Sequence, residues 1–287
     1  MGAVDHVRWR SRPALDRPVL VAAFEGWNDA GDAASGAVRY LIDRYDGELV
    51  ADIDAEEFFD FTTARPQAEV DEEGVRRIVW PTTEVYAASL PGDASDVLLM
   101  IGTEPQLKWR TFCAQVTGLA TELGCRLAVI LGALVAEVPH SRPVPVVGTV
   151  SDPALQAELG LRPSTYQGPT GVVGVLSAAC REAGLPAASL WAAVPTYVPT
   201  APSPKAVLAL LEHTAEVLGT WVPTTDLEIA SAAYERQVTE LVQEDDETSD
   251  YVSQLEERHD AGGDEDDRGD ARSLVEEVER FLRDRRD

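Results

Sequence analysis

Four continuous apolar runs of strand length constrain this chain more than any other feature: "PVLVAAF" (18–24), "VLLMIG" (97–102), "RLAVILGAL" (126–134) and "LWAAVP" (190–195). A strand with one wet face alternates apolar and polar side chains, whereas a strand covered on both faces stays apolar along its length. A turn follows each run, and a helical pattern usually follows the turn. Examples are "TEPQLKWRTFCAQVTGLATELG" after the second run and "SPKAVLALLEHTAEVLG" after the fourth. Strands alternating with helices predict an α/β fold around a largely parallel central sheet. "ELVADID" (48–54), "VRRIVWP" (75–81) and "VPVVGTV" (144–150) are further strand candidates.

The segment 33–45 reads as a helix, because Ala34, Val38, Leu41, Ile42 and Tyr45 share one face. Asp32 stands just before it as the expected N-cap, and Gly47 lies just past its end. Another helix is expected from about Thr170 to Gly184. After Pro223 no strand candidates remain. Residues 1–224 therefore read as an α/β core and 225–260 as a helical extension. Residues 261–271, "AGGDEDDRGDA", read as an acidic flexible linker with nothing apolar to bury. Residues 272–287 form a final amphipathic helix in this scheme, with Leu274, Val275, Val278, Phe281 and Leu282 as its apolar stripe. That stripe is expected to dock, on its own subunit or on a neighbour.

Charge excludes some partners. The chain carries a formal net charge of −26 over 287 residues, and its lysines are Lys108 and Lys205 alone. Phosphate contacts need clustered basic residues, so neither nucleic acid nor an anionic membrane surface is expected as a partner. No apolar run approaches the roughly 18 residues that span a bilayer, and the N-terminal "MGAVDHVRWRSRP" lacks the apolar core of a secretory signal. The three cysteines, Cys113, Cys125 and Cys180, are widely spaced and suggest neither zinc nor a disulfide framework. A cytoplasmic location is the natural expectation.

Ligands of open α/β sheets bind beyond the carboxyl ends of the parallel strands. That rule gathers the loops after the first three apolar runs. The loop in "FEGWNDAGDAAS" (24–35) offers Glu25, Trp27, Asn28 and Asp29; the next offers Thr103, Glu104 and Trp109; the third offers His140. Loops farther on add Thr170, Gly171 and Tyr197. All are ligand-binding candidates, and Glu104 and His140 are the weak candidates for catalysis. The carboxylates of the first loop oppose phosphate, and its glycine spacing matches neither dinucleotide nor P-loop fingerprints. Its acids do not follow a calcium-loop pattern, so no metal and no cofactor is expected. A well-made turn is the stronger expectation here: Asp32, or failing it Asn28 or Asp29, caps the helix, Gly26 and Gly31 permit the bend, and Trp27 packs beneath. His140 lies in "EVPHSRP", where a structural role outweighs a catalytic one, and no G-x-S-x-G elbow accompanies it.

Several motifs in order carry a resemblance: "GWNDAGDAAS", "GTEPQLKWRTF", "VPHSRPVPVVGT", "YQGPTGVVGVL", "LWAAVPTYV" and "PKAVLALLE". Together they resemble the bacterial, especially actinobacterial, branch of the proteasome-assembly-chaperone-two family. The resemblance implies a three-layer α/β/α sandwich similar to purine nucleoside phosphorylases, with a C-terminal helical extension. It implies a non-catalytic, chaperone-like protein that binds other proteins, some of them proteasome-related, and that self-associates as a homo-oligomer. The chain departs from the family at its end, "RDRRD", which lacks the penultimate tyrosine by which such chaperones dock. The alternative is a nucleoside-like small-molecule binder or enzyme that uses the cleft at the strand ends.

Overall fold

A computed structural model of the chain describes residues 4–71, 73–92, 96–150, 152–164 and 166–262. The expected linker and final helix lie almost wholly outside the described residues. The strands are β1 (Val7–Trp9), β2 (Val19–Glu25), β3 (Glu48–Ile53), β4 (Gln67–Val70), β5 (Arg76–Val79), β6 (Thr83–Ala88), β7 (Val97–Thr103), β8 (Leu127–Ala136), β9 (Val146–Val150) and β10 (Ala187–Pro195). The helices are α1 (Ala33–Arg44), α2 (Trp109–Glu122), α3 (Pro153–Leu159), α4 (Val172–Glu182), α5 (Pro204–Leu218), α6 (Thr225–Gln243) and α7 (Asp246–Gly262). Thus α7 runs two residues into the segment expected to be linker.

Eight strands form one sheet in the order β1-β3-β6-β7-β2-β8-β10-β9. The four apolar runs are its centre: β7, β2, β8 and β10 pair in parallel. Antiparallel strands extend it on both sides, with β9 against β10 and β6, β3 and β1 beyond β7. The largely parallel sheet expected from sequence is therefore parallel in its middle, where both faces are covered, and antiparallel toward its edges.

Period-two alternation divides the core into two halves. Val19, Val21 and Ala23 of β2 pack with Ala34, Val38 and Leu41 of α1 and with Leu210 and Leu211 of α5. Leu20, Ala22 and Phe24 pack on the other face with Phe112 and Val116 of α2 and Val172 and Leu176 of α4. These are the three layers. The Phe24, Phe58 and Phe112 rings meet edge to face, 5.4–5.8 Å between centroids. Helix α5 shows its signals plainly: Ser203 Oγ accepts from the Ala206 N–H at 3.2 Å, Pro204 begins the helix, and Gly219 ends it at φ +66°.

Two parts stand off this body. Helix α6 packs on α5 and α7 on α6, where Tyr234, Val238, Val242 and Val252 form a small core with Tyr197 and Val198. The candidate strand at 75–81 does not join the main sheet. It supplies β5, which pairs with β4 alone in a two-stranded hairpin. Every residue of both strands is exposed, Val70, Ile78 and Val79 among them, and Trp80 beside them touches Phe61 edge to face at 4.8 Å.

Candidate functional site

The loops after β2 and β7 meet as the strand-end rule requires. Glu104 donates its backbone N–H to the Glu25 carbonyl at 2.8 Å. Its side chain turns inward, where Oε1 accepts from Asn28 Nδ2 at 2.7 Å and from the Val172 N–H, at the start of α4, at 2.9 Å. One carboxylate oxygen thus ties the β2 loop to a helix on the opposite side of the crevice. Asn28 is 1% exposed, and its backbone carbonyl accepts from the Ala133 N–H of β8 at 2.8 Å. Its amide lies so close to Gly171 that a Cβ there would sit 2.3 Å from Nδ2. Only glycine at 171 leaves the amide its place.

The β2 loop differs from its expected form in two respects. Asp32 does not cap α1: it sits at φ +51° and makes no side-chain cap bond. A short 3₁₀ turn over Ala30–Asp32 precedes the helix, so the carboxylate that faces the free N–H groups belongs to Asp29. Its Oδ1 accepts from Ala34 at 2.7 Å and from Ser35 at 3.1 Å. Burial pushes the Asp29 carboxyl pKa up, against the pull of these bonds. Nor does Trp27 pack beneath the turn; it is 40% exposed, because Gly26 at φ +121° swings the chain outward at that point.

Between α4 and the β8–β10–β9 corner lies a cavity of about 370 Å³. Trp27, Asn28, Thr170 and Gly171, all sequence candidates, line it. Sequence reasoning missed Trp191, Thr149 and Ser189 on the sheet side and Gly174, Ser177, Ala178 and Arg181 on α4. The signal for α4 was present: these four residues recur at i, i+3, i+4 and i+7, and the first three, Gly174, Ser177 and Ala178, have small side chains.

The remaining candidates lie elsewhere. Glu25 pairs with Arg39 and accepts from Thr103 Oγ1 at 3.3 Å, on the rim of a different depression. Trp109 donates its indole N–H to the Pro105 carbonyl at the head of α2. Cys113 and Cys180 are buried, with thiol pKa values pushed up to about 12 by burial, which makes them poor nucleophiles. Among the described residues no group of three His, Cys, Asp or Glu side chains is arranged to hold a metal ion.

His140 is not at the cavity mouth. It is 4% exposed and enclosed by the helical extension. Thr239 spends its hydroxyl proton on the Glu235 carbonyl at 2.8 Å, so His140 Nε2 must donate to Thr239 Oγ1, 2.9 Å away. Nδ1 is then the acceptor, and Tyr197 donates to it at 2.8 Å while accepting the His140 backbone N–H at 2.7 Å. The ring is satisfied as neutral imidazole. Burial, and then the Lys205 charge, push its pKa below 6.5. Lys205 Nζ binds the His140 carbonyl at 2.6 Å and Glu235 at 2.5 Å. Beside them Arg142 grips both oxygens of Asp260 at 2.7 Å, and Ser141 bonds Glu256. This cluster locks α6 and α7 over the loop after β8.

The PAC2 family pattern matches residues 23–242, a span that holds the Asn28–Glu104 bridge and His140 with its partners Tyr197, Lys205, Glu235 and Thr239. The chain belongs to the PAC2 family. This PAC2 chain is similar to a PAC2 family protein from Streptomyces avermitilis, with 47% identity, a TM-score of 0.77, and coverage of 82% of this chain and 99% of that one. A Mycobacterium tuberculosis proteasome-assembly chaperone homologue is 45% identical, with a TM-score of 0.74 and the same coverage. A Mycobacterium tuberculosis protein of unknown function is 30% identical, with a TM-score of 0.83, over 98% of this PAC2 chain and 97% of its own. The curated proteins include no match.

Proposed function

We propose that this PAC2 protein is a non-catalytic, chaperone-like binder of other proteins, with proteasome subunits as its partner class. The carrying observation is its 45% identity along nearly the whole of a proteasome-assembly chaperone homologue. Two features of the molecule support this. His140 is occupied on both ring nitrogens and Glu104 on one oxygen by two donors, so both serve as struts. The β4–β5 hairpin also presents Val70, Ile78, Val79 and Trp80 to solvent at 45–66% exposure, and an isolated hairpin is marginal in water without something to pack on. We assign that hairpin to the partner contact. The protein acts in the cytoplasm and self-associates through another surface. Among the described residues no helix is long and apolar enough to cross a membrane.

Affinity capture from the native host, read by mass spectrometry, tests the proposal. Proteasome subunits should be enriched with the wild-type chain and lost with the double variant Ile78→Asp, Trp80→Ser. Recovery of the chain alone would overturn it. Light scattering on the same variant separates the alternatives: a fall in its mass would make the hairpin a contact between copies of this chain.

A further inference from the structure

Trp191 lies flat on the sheet because its neighbour has no side chain. A Cβ at Gly132 would stand 2.6 Å from Cε3 and Cζ3 of the indole and 2.8 Å from Cδ2. Near-equal distances to three consecutive ring atoms arise over the face of a ring, not along its plane. Gly132 is the register partner of Trp191 on β8, so the indole rests face-down across the neighbouring strand. Glycine weakens a strand interior and marks a place where another group approaches closely. Any Cβ at 132 would lift the ring off the sheet.

The second face of the indole looks away from the sheet, toward the layer that holds α4. Trp191 packs at the margin of the core that includes Val172 and Leu176 of that helix. The cavity of about 370 Å³ is lined by the indole on the sheet side and by Gly174, Ser177 and Ala178 on the helix side. The result is a slot with an aromatic floor and a small-residue ceiling. Its volume falls in the range of small-molecule sites.

One edge of the floor is polar. Ser189 stands two residues before Trp191, and Thr149 is its cross-strand partner on β9. Both therefore share the face of the sheet that Trp191 covers, and both line the cavity. Ser189 is 5% exposed, and its hydroxyl lies one bond beyond a Cβ directed to that side. Among the described residues neither hydroxyl has a hydrogen-bond partner. Nor is either sealed off, as the Asn28 amide oxygen is, so a molecule in the slot can reach them. Arg181, exposed at the end of the α4 stripe, is the one charged residue of the lining among the described residues.

We propose that this slot binds a flat, uncharged aromatic molecule of one or two fused rings with a hydroxyl or ring nitrogen on its edge. The ring stacks on Trp191, and the edge group exchanges a hydrogen bond with Ser189 or Thr149. A hydroxyl donates or accepts, so either edge group is served. The slot shares no residue with the hairpin, so it stands or falls independently of the partner proposed above.

Ligand-observed NMR on the full-length protein tests this with three probes. 2-Naphthol is flat and carries an edge hydroxyl. Decahydro-2-naphthol keeps the skeleton and the hydroxyl but is not flat. 2-Naphthoate replaces the hydroxyl with an anion. 2-Naphthol should bind and shift the Trp191 indole N–H resonance. The decahydro analogue should bind about tenfold more weakly, the scale of a lost stacking contact, and 2-naphthoate should also bind more weakly. Ser189→Ala should weaken 2-naphthol about fivefold. Gly132→Ala, by lifting the indole, and Ser177→Leu, by filling the slot, should each abolish binding. If Gly132→Ala fails to fold by thermal unfolding, Ser177→Leu and Ser189→Ala still decide. No binding of 2-naphthol at millimolar concentration would overturn the proposal. So would equal binding of the decahydro analogue, tighter binding of 2-naphthoate, or binding indifferent to Ser177→Leu.

Discussion

The Asn28–Glu104 bridge and the His140 cluster both gather polar side chains at neighbouring strand ends, yet they finish differently. Around His140 every ring nitrogen, the backbone N–H and the carbonyl have partners. Around Asn28 one carboxylate oxygen satisfies two donors and leaves the amide oxygen buried without a partner among the described residues. A complete network holds structure together, whereas an incomplete one leaves a buried acceptor that weakens the state it belongs to. Polar residues at a strand end are therefore not by themselves evidence of a site.

Five experiments press on that contrast. The largest effect is expected from Glu104→Ala, which strands the Asn28 amide and the Val172 N–H together. Urea unfolding should show a loss of about 3 kcal/mol, since bonds to a charged acceptor contribute about 1.5–3 each. Tyr197→Phe comes next at about 2 kcal/mol, because it leaves both a ring nitrogen and a backbone N–H of His140 without partners. Asn28→Ala should cost only about 1 kcal/mol: Glu104 keeps Val172, and an unsatisfied oxygen leaves with the side chain. If Asn28→Ala costs as much as Tyr197→Phe, the two clusters do not differ in the way described.

The fourth test concerns pH. His140 takes up a proton less readily when folded than its ordinary value of 6.5 implies. Below that value the unfolded chain binds the proton and the folded chain does not. Stability should therefore be full above about pH 6.5 and fall as the pH drops toward the lowered folded value. His140→Gln should flatten this part of the stability curve, as urea midpoints across that range would show. The smallest effect is local. Arg142→Ala removes the grip on Asp260 and should speed amide exchange in α7 while leaving the sheet unchanged.

Much of the fold was legible because its signals are short-range. Four apolar runs mark the strands buried on both faces, and Ser203, Pro204 and Gly219 punctuate α5 within one segment. The cap of α1 falls to Asp29, the less favoured candidate, and not to Asp32, because the intervening 3₁₀ turn moves the capping role three residues back. The hairpin was only half legible: "VRRIVWP" has strand character, but nothing in it tells a strand of the main sheet from an exposed arm. The cavity was legible only along its first loop. Trp191, Thr149 and Arg181 come from three other elements, and the α4 stripe gains meaning only once a sheet stands opposite it.

The sequence by itself determined a doubly covered parallel core, the order of its helices, and a glycine- and acid-rich turn at the end of the first central strand. Local periodicity and turn chemistry suffice for these, because they act over a few residues. Only the tertiary structure decided that His140 is fully paired and that Asn28 keeps one buried oxygen unpaired among the described residues. Arg142 reaches Asp260 across 118 positions, and Asn28 reaches Glu104 across 76. Which polar atoms are satisfied is a property of the folded neighbourhood, set by partners that no local pattern brings together.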